Sequence, residues 1–317
     1  MTESKRPKRV VGYLLALAAG ATWGTTGPLS TGLYDLMPAT SIGFWRVLIG
    51  TIALAVWGLI FRRELYRTDR QGWLLVGLGG GALVALFEIA YQFAIAGVGV
   101  AGAAALLYTA PVMVAVLARF ILKEELSATR IALALIVMAG VALTVTGGSN
   151  TGAEAARMGI GAGIAGGLLA ALSYALTTLM ARYAAPRYGV VKVLFLEAIG
   201  GVVLIWIALS IWGRPPAWPP SAPAWRGLMG LAAGSVIAAN IFFFGAVQRI
   251  EAAPASVAAT IEPVVGALLA LTLFSQRLTL LGWVGLAMVV GGVAAGYVTE
   301  GLKQQLEPQA EEPGRPV

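Results

Sequence analysis

Ten apolar stretches run through this chain with only short polar turns between them, each close to the roughly 20 residues a helix needs to cross a bilayer. They fall at 10–30, 38–61, 72–96, 98–121, 128–146, 158–182, 190–212, 226–248, 253–273 and 279–298. Hydrophobic residues make up 58% of the chain and charged residues 12%, against roughly 25% charged in a soluble domain. So few polar groups cannot cover a water-soluble protein of 317 residues. The expected fold is an all-α polytopic membrane protein of ten transmembrane helices. The chain has no Cys and no His, which excludes disulfides, thiol chemistry and histidine-based metal sites or proton relays.

The net charge of +7 alternates loop by loop. Of the 22 Lys and Arg, 17 lie in the two tails and the second, fourth, sixth and eighth loops. Four lie on the other side (Arg157, Arg214, Arg226 and Arg277), and Arg46 lies inside a span. Basic residues collect on the cytoplasmic side of a membrane protein, so both termini are expected in the cytoplasm. That distribution marks a membrane partner, and nucleic acid is not expected. The basic N-terminus followed by an apolar run imitates a signal peptide, but about 20 apolar residues exceed the usual 7–15, and no cleavage is expected. No Gly-rich loop ends in Lys-Ser or Lys-Thr, and no Ser/His or Cys/His pair is possible. Neither a cofactor nor enzymatic activity is expected.

Residues 98–143 are written again in weaker form at 250–295. At an offset of 152, Pro111 falls on Pro263, Val112 on Val264 and Gly140-Val141-Ala142 on Gly292-Val293-Ala294, with 12 of 46 positions matching. Earlier in the chain the offset is 151: Trp23 falls on Tyr174, Phe44 on Phe195 and Arg46 on Glu197. Glu88 falls on Asn240 at 152. Two repeats of five spans, 1–146 and 158–298, start on opposite sides of the membrane and are expected to be inverted about a central cavity. Residues 299–317 read as a disordered cytoplasmic tail.

Charged groups inside a span are costly and are functional candidates. Four lie well inside: Arg46, Glu88, Glu197 and Glu262. Arg46 and Glu88 share a depth, about 12 Å below the outer ends of their spans at 1.5 Å per residue. They either neutralise each other at a helix contact, or bracket a polar cavity where one meets a substrate carboxylate. Glu197 lies nearer the cytoplasmic end and is expected to face water or pair with Lys192. Pro28, Pro111 and Pro263 interrupt spans, and proline removes a backbone donor. Tyr108-Thr109-Ala110-Pro111 and Thr260-Ile261-Glu262-Pro263 are mates in the repeat. Corresponding broken helices point to a transport site.

Trp23, Trp45, Tyr91, Tyr108, Tyr174, Phe243 and Phe244 lie within spans, whereas Trp212, Trp218 and Trp225 sit at span ends as interfacial anchors. Buried Trp and Tyr need partners for their polar atoms, and a cavity walled by them suits a small amphipathic molecule. Gly159, Gly163 and Gly167, Gly77 with Gly81, and Gly292 with Gly296 keep a four-residue spacing that lets helices approach closely. The longest connections, Gly147–Arg157 and the proline-rich Gly213–Trp225, are expected to be exposed loops.

Two stretches carry a family resemblance. One is the proline-broken Leu106–Val116 followed by Leu122-Lys123-Glu124-Glu125-Leu126-Ser127. The other is Ala258-Ala259-Thr260-Ile261-Glu262-Pro263-Val264-Val265 followed by Phe274-Ser275-Gln276-Arg277-Leu278-Thr279. With these, residues 10–298 resemble the drug/metabolite transporter superfamily in its ten-span form with two EamA-type repeats. The family's Gly-Glu before the last span of each repeat leaves a Glu, Glu125, in the first copy and Gln276-Arg277 in the second. The resemblance implies a basket-like bundle lined by spans one, three, four, six, eight and nine. It implies export of small metabolites across the bacterial cytoplasmic membrane, amino acids and aromatic amino acids among them, by a chain working as a monomer. On that pattern the candidate substrate-binding residues are Trp23, Glu88, Tyr91, Tyr108, Tyr174, Asn240, Phe244 and Glu262. Glu88 and Glu262 are also the candidates for carrying a proton. Export of drugs, nucleosides or sugar derivatives, and a membrane scaffold without transport, remain open alternatives.

Overall fold

The structure is a computed structural model, and it describes residues 5–26, 29, 33, 35–124, 127–146, 159–274 and 279–306. The described residues form helices and turns with no strand. In bilayer every backbone polar group must be satisfied within the segment, which leaves the helix as the economical solution for an apolar run. Among the described residues, seven helices are long and apolar enough to cross a membrane, by length and composition. Two further apolar helices, Ala110–Ile121 and Ala128–Leu143, are shorter. Large apolar side chains such as Phe120, Ile211 and Leu280 point outward, as they do in a multi-pass membrane protein.

α1 (Lys5–Gly24) begins and ends earlier than the span at 10–30, and Pro28 lies outside the described residues. α2 (Ala39–Phe61) falls where expected. The third and fourth spans join differently. Helical bonding is unbroken from Arg70, through a π-helical stretch Trp73–Gly80, into α3 (Gly81–Leu107). The break expected before Pro111 comes at Tyr108-Thr109, and α4 (Ala110–Ile121) is correspondingly short. α3 is nonetheless sharply bent. Gly166 packs on Ala90, Phe93 and Ala94, while its neighbour Gly167 packs on Leu106. A straight helix would hold Ala94 and Leu106 about 18 Å apart, which adjacent residues cannot bridge, so the chain turns back between them.

The remaining helices are α5 (Ala128–Thr146), α6 (Ile160–Tyr188), α7 (Val190–Ile211), α8 (Ala222–Leu231), α9 (Ala239–Val247), α10 (Ala252–Ala259), α11 (Glu262–Phe274) and α12 (Leu280–Leu306). A second π-helical stretch, Ala232–Ala238, joins α8 to α9. α12 stays helical through Leu306, where a disordered tail was expected from 299. The Gly147–Arg157 loop lies outside the described residues. The 213–225 loop is shorter than expected, because Ser221 caps α8 by accepting from the Ala224 N–H at 3.4 Å. It is also pinned to α2: Trp45 Nε1 donates to the Ala217 carbonyl at 2.7 Å, and the Ala217 N–H donates to Ser41 at 3.0 Å.

Glycine contacts set the closest helix approaches. Gly97 meets Gly163, and Gly77 and Gly81 meet Gly200, backbone against backbone, where a Cβ would not fit. Four contacts recur at the repeat offsets with the partners exchanged. Gly50 packs on Val236, and Gly201 on Val84. Gly140 packs on Val289, and Gly292 on Val137. Leu15 meets Gly245 and Gly166 meets Phe93, while Gly12 meets Arg249 and Gly163 meets Gly97. The buried core between these contacts is aliphatic and aromatic, with Phe195, Phe243 and Phe244 its largest fully buried side chains.

Candidate functional site

Two interrupted helices meet at the centre of the bundle. Pro111 and Pro263 each stand at the second residue of a new helix, where a missing N–H is tolerated. Neither can bond the carbonyl four residues back, on Leu107 and Ala259, and both of those residues line one cavity of about 300 Å³. Its other walls are Trp23, Tyr108, Ala110, Pro111, Tyr174, Ser256, Thr260 and Glu262. Glu262 opens α11, where an acid suits the positive end of the helix dipole. It is half-buried, and among the described residues it is the cavity's only charged lining group. The Tyr108 hydroxyl donates to its carboxylate. Thus the first break supplies a donor and the second an acceptor, and they meet.

The aromatic wall is a triangle of rings. Trp23 lies 6.0 Å from Tyr174 and 5.4 Å from Phe243, and Tyr174 lies 5.7 Å from Phe243, centroid to centroid. Such tilted pairs add to burial. Phe243 completes the triangle from the core, where Phe244, a candidate cavity residue, is packed as well. Tyr91 stacks on Phe87 at 5.7 Å and lies within electrostatic reach of Tyr108, but it does not line the cavity. Trp45 joins Trp218 and Trp225 in a rim cluster, with centroids 4.9 and 5.3 Å away, far in role from the cavity.

A polar layer lies behind Trp23. A π-helix takes a wider turn and leaves carbonyls aimed off their usual partners, and side chains use those of Ala232–Ala238. The Trp23 indole donates to the Ser235 carbonyl at 3.1 Å. The Asn240 amide donates to the Ser235 and Val236 carbonyls at 3.0 and 2.9 Å. Arg46 forms an ion pair with Glu88 and reaches the Ser235 hydroxyl at 3.5 Å. Glu88 is buried beneath Arg46, close to Gly43, and neither it nor Asn240 lines the cavity. Of the two sequence-level readings of Arg46 and Glu88, mutual neutralisation is the one found. Arg46 also lies within electrostatic reach of Glu262.

Glu197 departs from its expectation. Lys192 donates instead to the Arg67 carbonyl at 2.9 Å, and Glu197 is only 2% exposed. It packs by Gly80 and Met180 with one carboxyl oxygen unpartnered. It stands apart from the cavity.

The face carrying the α4–α5 and α9–α10 connections is tied by a network that the sequence did not reveal. Glu124 accepts from the Ala252 N–H at 3.1 and 3.2 Å and so caps α10 from the other half of the chain. Arg182 approaches Glu124 at 3.6 Å and donates to the Val247 carbonyl. Arg130 pairs with Glu251, and Gln248 donates to the Ala185 carbonyl at 2.7 Å. Burial pushes the Glu124 carboxyl above the usual carboxylate range; the Ala252 N–H opposes this, Glu251 adds to it, and Arg182 and Arg130 oppose it. Lys123, just before it, has φ 58°, a conformation that favours glycine. Glu125, the Glu of the expected Gly-Glu pair, lies outside the described residues. On the same face Asp69 accepts from Gly72, Tyr188 and Arg187. The first two bonds lead in holding its carboxyl below the usual range. A second void of about 400 Å³ lies on the opposite side of α10 from the cavity, against Ala253, Pro254, Val257 and Ala258, with Tyr13 and Arg130 across it.

Comparison with known proteins points one way. The model of the EamA-like transporter family matches residues 10–146 and again 161–296. An uncharacterized transporter of Bacillus subtilis (strain 168), YwfM, is 27% identical over 290 residues, spanning 88% of this chain and 91% of that one. A crystal structure superposes with a TM-score of 0.74 at 20% identity, covering 91% of this chain and 98% of that one; this likeness bears on the fold alone.

Proposed function

The chain belongs to the EamA-like transporter family, and we propose that it exports amino acids or related small metabolites by alternating access. The observation that carries this reading is the meeting of two proline-broken helices on one aromatic-walled cavity with a single carboxylate. Broken helices at corresponding places of a repeat are where transporters hold substrate. The exchanged glycine contacts and the double family match support two repeats related by a pseudo-two-fold axis. The 17-to-4 division of Lys and Arg supports ten spans with both termini in the cytoplasm.

The test is uptake of a broad panel of labelled amino acids by reconstituted proteoliposomes, with and without a proton gradient. Accumulation above empty liposomes is expected for at least one amino acid. If none accumulates, while expressing cells resist toxic organic cations rather than toxic amino-acid analogues, the amino-acid assignment falls and drug export replaces it.

A further inference from the structure

Taking the cavity as the substrate site proposed above, we infer that Glu262 anchors a substrate ammonium group, and that Arg46 does not take a substrate carboxylate. The distinction comes from counting which donors and acceptors around the cavity are already used. The Trp23 N–H is bonded to Ser235, and the Tyr108 O–H to Glu262. The Thr260 hydroxyl is bonded to the Val257 carbonyl of its own turn. Behind the wall, Arg46 is bound to Glu88 and Ser235, and both Asn240 bonds go to carbonyls.

The acceptors are not used up. Glu262 retains lone pairs beyond the one that meets Tyr108, since an ionised carboxyl offers about four. The Leu107 carbonyl lacks its helical donor because Pro111 has none, whereas the Ala259 carbonyl lies against Gly20 of α1. Ser256, 1% exposed and lining the cavity, has a hydroxyl with no partner. A cavity whose one charged lining group, among the described residues, is a carboxylate fits a ligand that brings donors and a positive charge. An ammonium brings three N–H groups and a positive charge. Arg46, Glu88 and Glu262 together leave one negative charge uncompensated when ionised. The faces of Trp23 and Tyr174 are attractive to a cation as well. A carboxylate would find the Ser256 and Tyr174 hydroxyls, but it would also meet a like charge on Glu262. The ligand class is therefore small amines, amino acids included, held by the ammonium end with the apolar part along the aromatic wall.

The test uses the full-length protein in detergent and three probes that share one ring: phenethylamine, 2-phenylethanol and 3-phenylpropionate. Binding is followed by tryptophan fluorescence and by calorimetry. The amine is expected to bind at least about tenfold tighter than the alcohol or the acid, the equivalent of one retained charge contact. Glu262→Gln is expected to abolish that preference, and Glu262→Asp, which keeps the charge, to retain it. Melting curves identify any variant that fails to fold, and the wild-type ranking needs no variant. The inference is overturned by equal or tighter binding of the acid, by an amine preference that survives Glu262→Gln, or by no amine binding at all. Export fails separately, if protein that binds the amine moves nothing across a proteoliposome membrane.

Discussion

The two helix breaks share one backbone and differ in almost every side chain that matters. Tyr108 and Thr260, mates at an offset of 152, have φ/ψ of −73°/5° and −71°/11°. Val112 and Met113 donate to Thr109 at 3.1 and 3.3 Å; Val264 and Val265 donate to Ile261 at 3.0 and 3.2 Å. Each break ends in a proline one residue into the next helix. Yet Tyr108 faces Thr260 in the repeat, and Ala110 faces Glu262. A proline and a few local hydrogen bonds are enough to hold the backbone, so it survives divergence. The side chains are free to specialise, one break as donor and the other as acceptor. Two identical breaks would set donor against donor, or carboxylate against carboxylate.

The comparison breaks most visibly at the ion pair behind the cavity. Glu88→Ala would leave Arg46 buried without its partner, and losing one member of a buried pair costs about 3–5 kcal/mol. Asn240→Ala, at the mate position, removes neutral bonds worth about 1 kcal/mol each. Thermal unfolding in detergent should therefore separate the two variants clearly, and equal melting points would show that the pair contributes nothing to the fold.

A smaller effect is expected at the breaks themselves. Tyr108→Phe removes a hydrogen bond to a charged group, about 1.5–3 kcal/mol, and should weaken substrate binding by about tenfold or more. Thr260→Val removes a hydroxyl bonded to its own turn and should leave binding near wild type. If Thr260→Val proves the more damaging, donor and acceptor have been assigned to the wrong breaks.

The smallest effect concerns pH at the Glu124 cap. Its carboxyl is raised by burial, so the folded state holds that proton more tightly than the unfolded one. The corresponding stability is present below the ordinary carboxylate range and is lost as pH rises through the raised value. Arg182 on α6, Arg130 on α5 and Glu251 ahead of α10 are the charges that face it. Melting temperature followed against pH should show this decline in the wild type and lose it in Glu124→Gln. A decline that persists in the variant assigns it to another carboxyl.

Much of this was legible from the chain. Pro111 and Pro263 at one offset placed both breaks, because proline's effect on a helix is local and independent of tertiary context. Trp23, Tyr108, Tyr174 and Glu262 were named as cavity residues and are found on one wall. Phe244 was named on the family's pattern, and here it packs in the core, as Phe243 does. One residue on a helix is about 100° of rotation, and a span that is apolar all round does not announce which face a residue occupies. Glu197 was misread, and the Glu124 network was not foreseen, because their surroundings come from helices more than a hundred residues away in sequence or from another repeat, as in Glu124 with Ala252.

α10 is eight residues long and borders the cavity on one side and the second void on the other. Most helices in a packed bundle are wedged by neighbours on every flank, and any displacement must drag those neighbours along. α10 is no exception, since all but one of its eight residues are buried. Its N-terminal end is fastened by the Glu124 carboxylate from the other half of the chain, and its C-terminal end runs into the break before Pro263. It is a shared keystone: a short helix clamped by both halves, so that any movement of it must be felt by both.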